Sequence, residues 1–156
     1  MKKTFGRKHY TETIHYDIEQ LARLMKLAAI QVFNKLKIQI TPDEFSALDV
    51  ISCHSGICQR DLAKLLLKDR ANTGRVLDSL EEKGLVTRFV DTKNNRLVKK
   101  MAVTEKGYKC LVHTAKTLKD HVQQVEQYFL KDEIEALQVS LKKFRTNVEK
   151  VLELNI

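Results

Sequence analysis

The chain has 156 residues, enough for one domain with a sizeable core or one domain carrying extra helices. Hydrophobic residues make up 43% and charged residues 31%, which excludes a disordered chain. Lys and Arg number 28 against 20 Asp and Glu, a formal net charge of +8, while 5 Gly and 1 Pro leave little room for a many-turned all-β fold or a Gly-rich phosphate cradle.

The start, Met1 to Lys8, is basic, but no apolar stretch or small-residue cleavage site follows, so no signal peptide is expected. The longest apolar run, Leu27 to Ile30, is far short of the roughly 20 residues a membrane helix needs, so no membrane partner is expected. Ile14, Ile18, Leu21, Met25, Ala28 and Val32 recur in steps of three and four, the repeat of a long helix packing side by side with another. Thr41-Pro42-Asp43-Glu44 then reads as an N-cap, a proline at the first helical position and acids in the first turn. Phe45, Leu48 and Ile51 line one face of that helix, which stops near Ser55-Gly56.

Cys58-Gln59-Arg60-Asp61 opens a second short helix in a capping-box pattern, with Leu62, Ala63, Leu65 and Leu66 inside. After Asp69 a third helix buries Val76, Leu77 and Leu80 and ends at Gly84, a helix-stop glycine. Leu85 to Val90 and Arg96 to Val103 read as strands joined by the polar turn Asp91 to Asn95. Thr104-Glu105-Lys106-Gly107 restarts a helix. Two further stripes follow, Leu111-Ala115-Leu118-Val122-Val125-Phe129 and Ile134-Leu137-Leu141-Phe144-Val148-Val151, with Asp132 expected to cap the last helix. Three stripes of about five turns each are more apolar surface than one small chain readily covers, which points to a twofold copy packing against them.

Charge is localised. Residues 57–109 hold 13 Lys and Arg against 7 Asp and Glu, whereas residues 110–156 are balanced. A concentrated basic region is the electrostatic footprint expected for nucleic acid, because Lys and Arg displace counterions condensed on phosphates. Two short helices about three residues apart, the second polar at its N-terminal face, followed by a hairpin, make a winged helix-turn-helix. The expected fold is therefore mainly α with a small β-hairpin wing, the winged domain being flanked by long dimerisation helices.

Residues 41–107 resemble the MarR family of bacterial transcription regulators, and the flanking helices extend the likeness to about residues 12–153. The phrases that carry it are Gln59-Arg60-Asp61-Leu62-Ala63, the run Asn72 to Arg88 containing Gly84-Leu85-Val86-Thr87-Arg88, and Val103-Thr104-Glu105-Lys106-Gly107. The resemblance implies a cytoplasmic homodimer on double-stranded DNA, with residues 1–40 and 108–156 as arm and dimerisation helices and residues 41–107 as the DNA-binding domain. It also implies repression and a small effector that releases the DNA. At the wing tip the sequence departs from the family pattern. Asp91 and Arg96 match, but Asn94-Asn95 replace an Asp-Arg pair, and the next strand reads one residue longer, as a bulge would make it.

The residues expected to contact DNA are Gln59, Arg70, Asn72, Thr73, Arg75, Arg88, Lys93, Asn94, Asn95 and Arg96. Asn pairs with adenine, Arg with guanine, and Thr touches a thymine methyl through major-groove edges. An alternative is a redox- or metal-responsive sensor of the same fold using Cys53, Cys58 or Cys110. The three cysteines suit a reducing cytosol better than a disulfide framework. No spacing of Cys and His closes a tetrahedral metal site, no nucleophile sits in a recognisable elbow, and neither a cofactor nor an enzyme activity is expected.

Overall fold

The computed structural model describes residues 9–151, apart from the side chain of Lys93. It divides into two compact units, parting between Asp43 and Glu44. The first holds a short 3-10 turn, Tyr10–Glu12, and helix α1, Ile14–Lys35. The Thr13 hydroxyl accepts the Tyr16 N–H and so caps α1. The Tyr10 hydroxyl donates to Glu19 at 2.8 Å, which ties the turn to the helix. The helix ends in a Schellman turn, with Lys37 at φ 53° and the Ile38 N–H bonded to the Phe33 carbonyl at 3.0 Å. Phe33 and Ile40 are buried, while Leu21, Leu24, Met25 and Leu27 of the apolar stripe are exposed.

From Glu44 onward the order is helix, strand, two helices, hairpin, two helices. Helix α2 spans Pro42–Cys53, β1 Ile57–Cys58, α3 Gln59–Leu65 and α4 Arg70–Glu82. Strands β2, Val86–Lys93, and β3, Arg96–Val103, are followed by α5, Glu105–Glu126, and α6, Lys131–Val151. The core gathers Ala47, Leu48 and Ile51 of α2, Leu62 and Ala63 of α3, and Leu77 and Leu80 of α4. Leu85, Val86, Met101 and Leu111 close it. Each large apolar side chain so buried stabilises the fold by about 1.5–3 kcal/mol.

Several local expectations are corrected. Phe45 is only half-buried, and the inward position beside it belongs to Glu44, 4% exposed. Its carboxylate accepts from the Ser79 hydroxyl, and Lys83 Nζ donates to both of its oxygens at 2.8 and 2.7 Å. Glu44, Ala47, Leu48 and Ile51 lie at helical spacing on one face, so burial follows the helix period and the charge is neutralised from α4. Leu65 turns outward, because the helix period sets it on the far side of Leu62 from Ala63, and Leu66 is only half-buried. Val76 is half-buried. Cys58 is the N-cap of α3, but its thiol donates to Asp61 Oδ2 at 3.1 Å instead of accepting a backbone N–H.

The sheet is three-stranded, in the order β1-β3-β2; the two-residue β1 was not anticipated. The hairpin pairs without a bulge from Val86↔Val103 to Lys93↔Arg96. The expected five-residue turn is therefore two residues long, Asn94 and Asn95, at φ 50° and 58°. Two consecutive left-handed residues match the right-handed twist of paired strands, and Asn tolerates that region. Helix α5 ends at Glu126, so Phe129 lies beyond it. Lys131 is the first residue of α6, which places Asp132 in the first turn and not at the cap. There Glu133 Oε2 accepts the Leu130 N–H at 2.8 Å.

Candidate nucleic-acid interface

The exposed N-terminal turn of α4 is organised by Asp69. Its Oδ1 accepts the Asn72 N–H at 2.8 Å and its other oxygen accepts from the Asn72 amide. Asn72 Oδ1 in turn accepts from an Arg75 Nη at 2.6 Å. Asp69, Asn72 and Arg75 thus form a relay along the outer face of the helix, with Arg70 exposed beside them. The Asn72 N–H holds the Asp69 carboxyl below its ordinary value of 3.8. Because the folded value is the lower one, the cap's contribution is complete above the ordinary value and is lost as pH falls through the lowered one. Asp69→Asn is expected to keep the cap at neutral pH and to reduce the acid-induced loss of stability below about pH 4, read by denaturation at a series of pH values. An unchanged acid limb would remove Asp69 from that role.

Thr73 is corrected. It is 0% exposed, and its hydroxyl donates to the Asp69 carbonyl at 2.9 Å. Thr73, Leu77 and Leu80 lie at spacing four and three, on the face that packs inward, so Thr73 is turned away from any ligand on the outer face.

Gln59 has a scaffolding geometry. Its amide Nε2 donates to the Arg70 carbonyl at 3.1 Å, joining the start of α3 to the start of α4. A Cβ at Gly74 would stand 3.1 Å from that nitrogen, so the glycine leaves room for the joint. Arg88 is likewise engaged within the fold. It donates to Asp78 Oδ1 at 2.6 Å and lies 3.5 Å from Glu81 Oε2, holding the base of the wing to α4. Both the joint and the ion pairs need elements remote in sequence, which the sequence reading could not place.

On the wing, Asn94, Asn95 and Arg96 are exposed at the tip. The side chain of Lys93 lies outside the described residues. Asp91 pairs with Lys100 diagonally across the strands, and that contact, with the Thr92 N–H, keeps its carboxyl below the usual range. A groove of about 480 Å³ runs between the start of α3, the start of α4 and β3. Arg60, Arg70 and Lys99 line it, of which Arg60 was not among the sequence candidates. Cys53 is exposed and Cys58 and Cys110 are half-buried, all as free thiols. Among the described residues no cluster of three His, Cys, Asp or Glu side chains is arranged to hold a metal, and no helix is long and apolar enough to cross a membrane.

A helix-turn-helix whose second helix presents polar side chains beside a basic two-stranded wing defines the winged helix-turn-helix class. A sequence model of the MarR family matches residues 40–98, the stretch from α2 into β3. An uncharacterized HTH-type transcriptional regulator, YybA of Bacillus subtilis (strain 168), is 26% identical over 113 residues, 72% of this chain and 75% of the relative. The crystal structure of the transcriptional regulator SlyA superposes with a TM-score of 0.74 at 27% identity, covering 90% of this chain and 96% of that one. The MepR-DNA complex of S. aureus has the same fold, with a TM-score of 0.71 at 24% identity over 89% of this chain and 99% of that one. The chain is thus similar to the MarR family over residues 40–98 and has the winged helix-turn-helix fold of SlyA and MepR.

Proposed function

We propose that this chain is a MarR-type transcription regulator that binds a pseudo-palindromic operator in double-stranded DNA as a cytoplasmic homodimer. The observation that carries this reading is the exposed turn of α4, where Asn72 and Arg75 stand ordered by Asp69 beside a basic wing. In a helix-turn-helix that end of the second helix meets base edges in the major groove, and two copies address half-sites about 10 base pairs apart. Arg70, Asn72 and Arg75 are the contacts assigned to the major groove, and Asn94, Asn95 and Arg96 those assigned to the wing. Gln59 and Arg88 act by holding α4 in place, and residues 41–107 form the reading domain. Residues 1–40 and 108–156 supply the dimer surface, in agreement with the exposed stripes on α1, α5 and α6. A small effector that prefers one spacing of the two reading helices shifts operator affinity by its differential affinity for the two states. It acts as a binding protein and not as an enzyme.

The test is operator affinity across a salt series, on a sequence selected from random duplexes and on a scrambled one. Arg75→Ala is expected to cost about 1–3 kcal/mol on the selected sequence and much less on the scrambled one. Equal losses on both would make Arg75 a phosphate contact, and no salt-dependent binding by the wild type would overturn the assignment.

A further inference from the structure

Helix α4 packs inward through Thr73, Leu77 and Leu80, and polar ties hold it on both flanks of that face. On one flank Asp78 and Glu81 are engaged by Arg88 of β2, at 2.6 and 3.5 Å. On the other, Ser79 and Lys83 stand four residues apart and so share a side of the helix. Both converge on the Glu44 carboxylate of α2, Ser79 through its hydroxyl and Lys83 Nζ at 2.8 and 2.7 Å. At about 100° per residue the two sets of ties stand roughly 150° apart around the axis, with Arg75 on the outer arc between them. The relay from Asp69 through Asn72 orders Arg75 within α4, but it turns with the helix. Only ties to other elements can set where the helix points it.

Glu44 is 4% exposed, and a carboxylate taken so far out of water forgoes hydration that an apolar side chain never had. Replacing such a buried pair with well-packed hydrophobic residues is often neutral or stabilising, so stability alone is a weak reason for it. What the pair supplies is direction. Apolar surfaces slide over one another, whereas hydrogen bonds from two residues to one buried carboxylate fix both the roll and the height of α4. A roll of about 20° carries an atom 5–6 Å from the helix axis through about 2 Å, well beyond the roughly 0.5 Å that a recognition geometry tolerates. We propose that Glu44 is a positioning residue for operator reading, its grip on Ser79 and Lys83 setting the roll of α4 and so the aim of Arg75. The proposal rests on the operator-binding reading above and adds to it a buried residue of α2 that acts through α4.

Full-length wild type and Glu44→Leu/Lys83→Met, each with and without Arg75→Ala, are compared by denaturant unfolding and by binding to operator and scrambled duplex across a salt series. The apolar pair is expected to unfold at the wild-type denaturant concentration or above it. Its preference for operator over scrambled DNA is expected to fall about tenfold with the salt slope unchanged, because base contacts need the finer alignment and phosphates carry no sequence. In that background Arg75→Ala is expected to cost no more than about a further twofold, whereas a Glu44 that only stabilises the fold leaves the Arg75 effect at full size. Ser79→Ala cuts one tie and keeps the ion pair, so it decides the matter if the double variant folds poorly. It is expected to lower the preference about threefold, because one of the hydrogen bonds that fix the roll is gone. If the wild type binds with salt dependence but the folded variants keep their preference, or lose affinity on both DNAs alike with the Arg75 effect undiminished, the proposal is overturned and operator binding stands. Absence of any duplex binding by the wild type removes both readings.

Discussion

Replacing Gly107 with alanine is expected to destabilise the protein by about 3 kcal/mol or more, the upper end of what forced overpacking costs. Gly107 is buried in the first turn of α5, and an added Cβ would lie 2.1 Å from the Leu85 carbonyl oxygen and 2.7 Å from Val103 Cγ1. Neither neighbour can give way freely. The Leu85 carbonyl accepts the Thr104 N–H at 3.0 Å, and the Thr104 hydroxyl donates to the Gly84 carbonyl at 2.7 Å while accepting the Gly107 N–H at 3.0 Å. Moving α5 aside breaks its N-cap and loosens the end of the wing together. Gly84→Ala is the instructive control. Its φ of 69° makes alanine strained, but the space around it is open, so about 1 kcal/mol is expected. Denaturant unfolding of both variants separates the two causes, and a Gly107→Ala protein within 1 kcal/mol of wild type would mean that the junction can shift.

The second large effect concerns the proposed dimer. Leu137→Lys/Leu141→Lys is expected to abolish dimerisation, giving monomers or aggregates by sedimentation, and to weaken operator binding by about a hundredfold or more. Leu137, Leu141 and Val151 of α6, with Val122 and Val125 of α5, are exposed within the single chain. Val125 reaches 72% exposed. A twofold interface doubles every substitution, so two lysines per chain place four ammonium groups against an apolar surface, each also forgoing about 1.5–3 kcal/mol of leucine burial. Because both leucines are already exposed in one chain, the core around Leu48, Leu62 and Leu77 is left intact. A double variant that remains dimeric and keeps operator affinity would move the interface elsewhere.

Much of the architecture was legible from residue order. The three-and-four stripes announced the long helices, and Asp69, Gly84 and Thr104 marked helix ends where the structure has them. Thr73 was readable in principle, since it continues the Leu77 and Leu80 face by one turn, but its polar side chain drew it to the wrong side. Glu44 was obscured in the same way, being a carboxylate on the face of Ala47, Leu48 and Ile51. A helical period says which residues share a face; side-chain polarity does not say which way the face turns.

By itself the sequence determined the helix-turn-helix order, the basic middle third and the polar start of α4, because each depends on residues within a few turns of one another. Tertiary structure alone decided that Arg88 serves Asp78 and Glu81, that Gln59 serves the Arg70 carbonyl, and that Lys83 neutralises Glu44. It also decided that β1 pairs with β3 only at the strand's inner end, leaving the edge beside Leu97 and Lys99 open. These are contacts between groups 7 to 44 residues apart, formed only when separate elements dock, and a long charged side chain can serve either a neighbour or a ligand until that docking settles which is in reach.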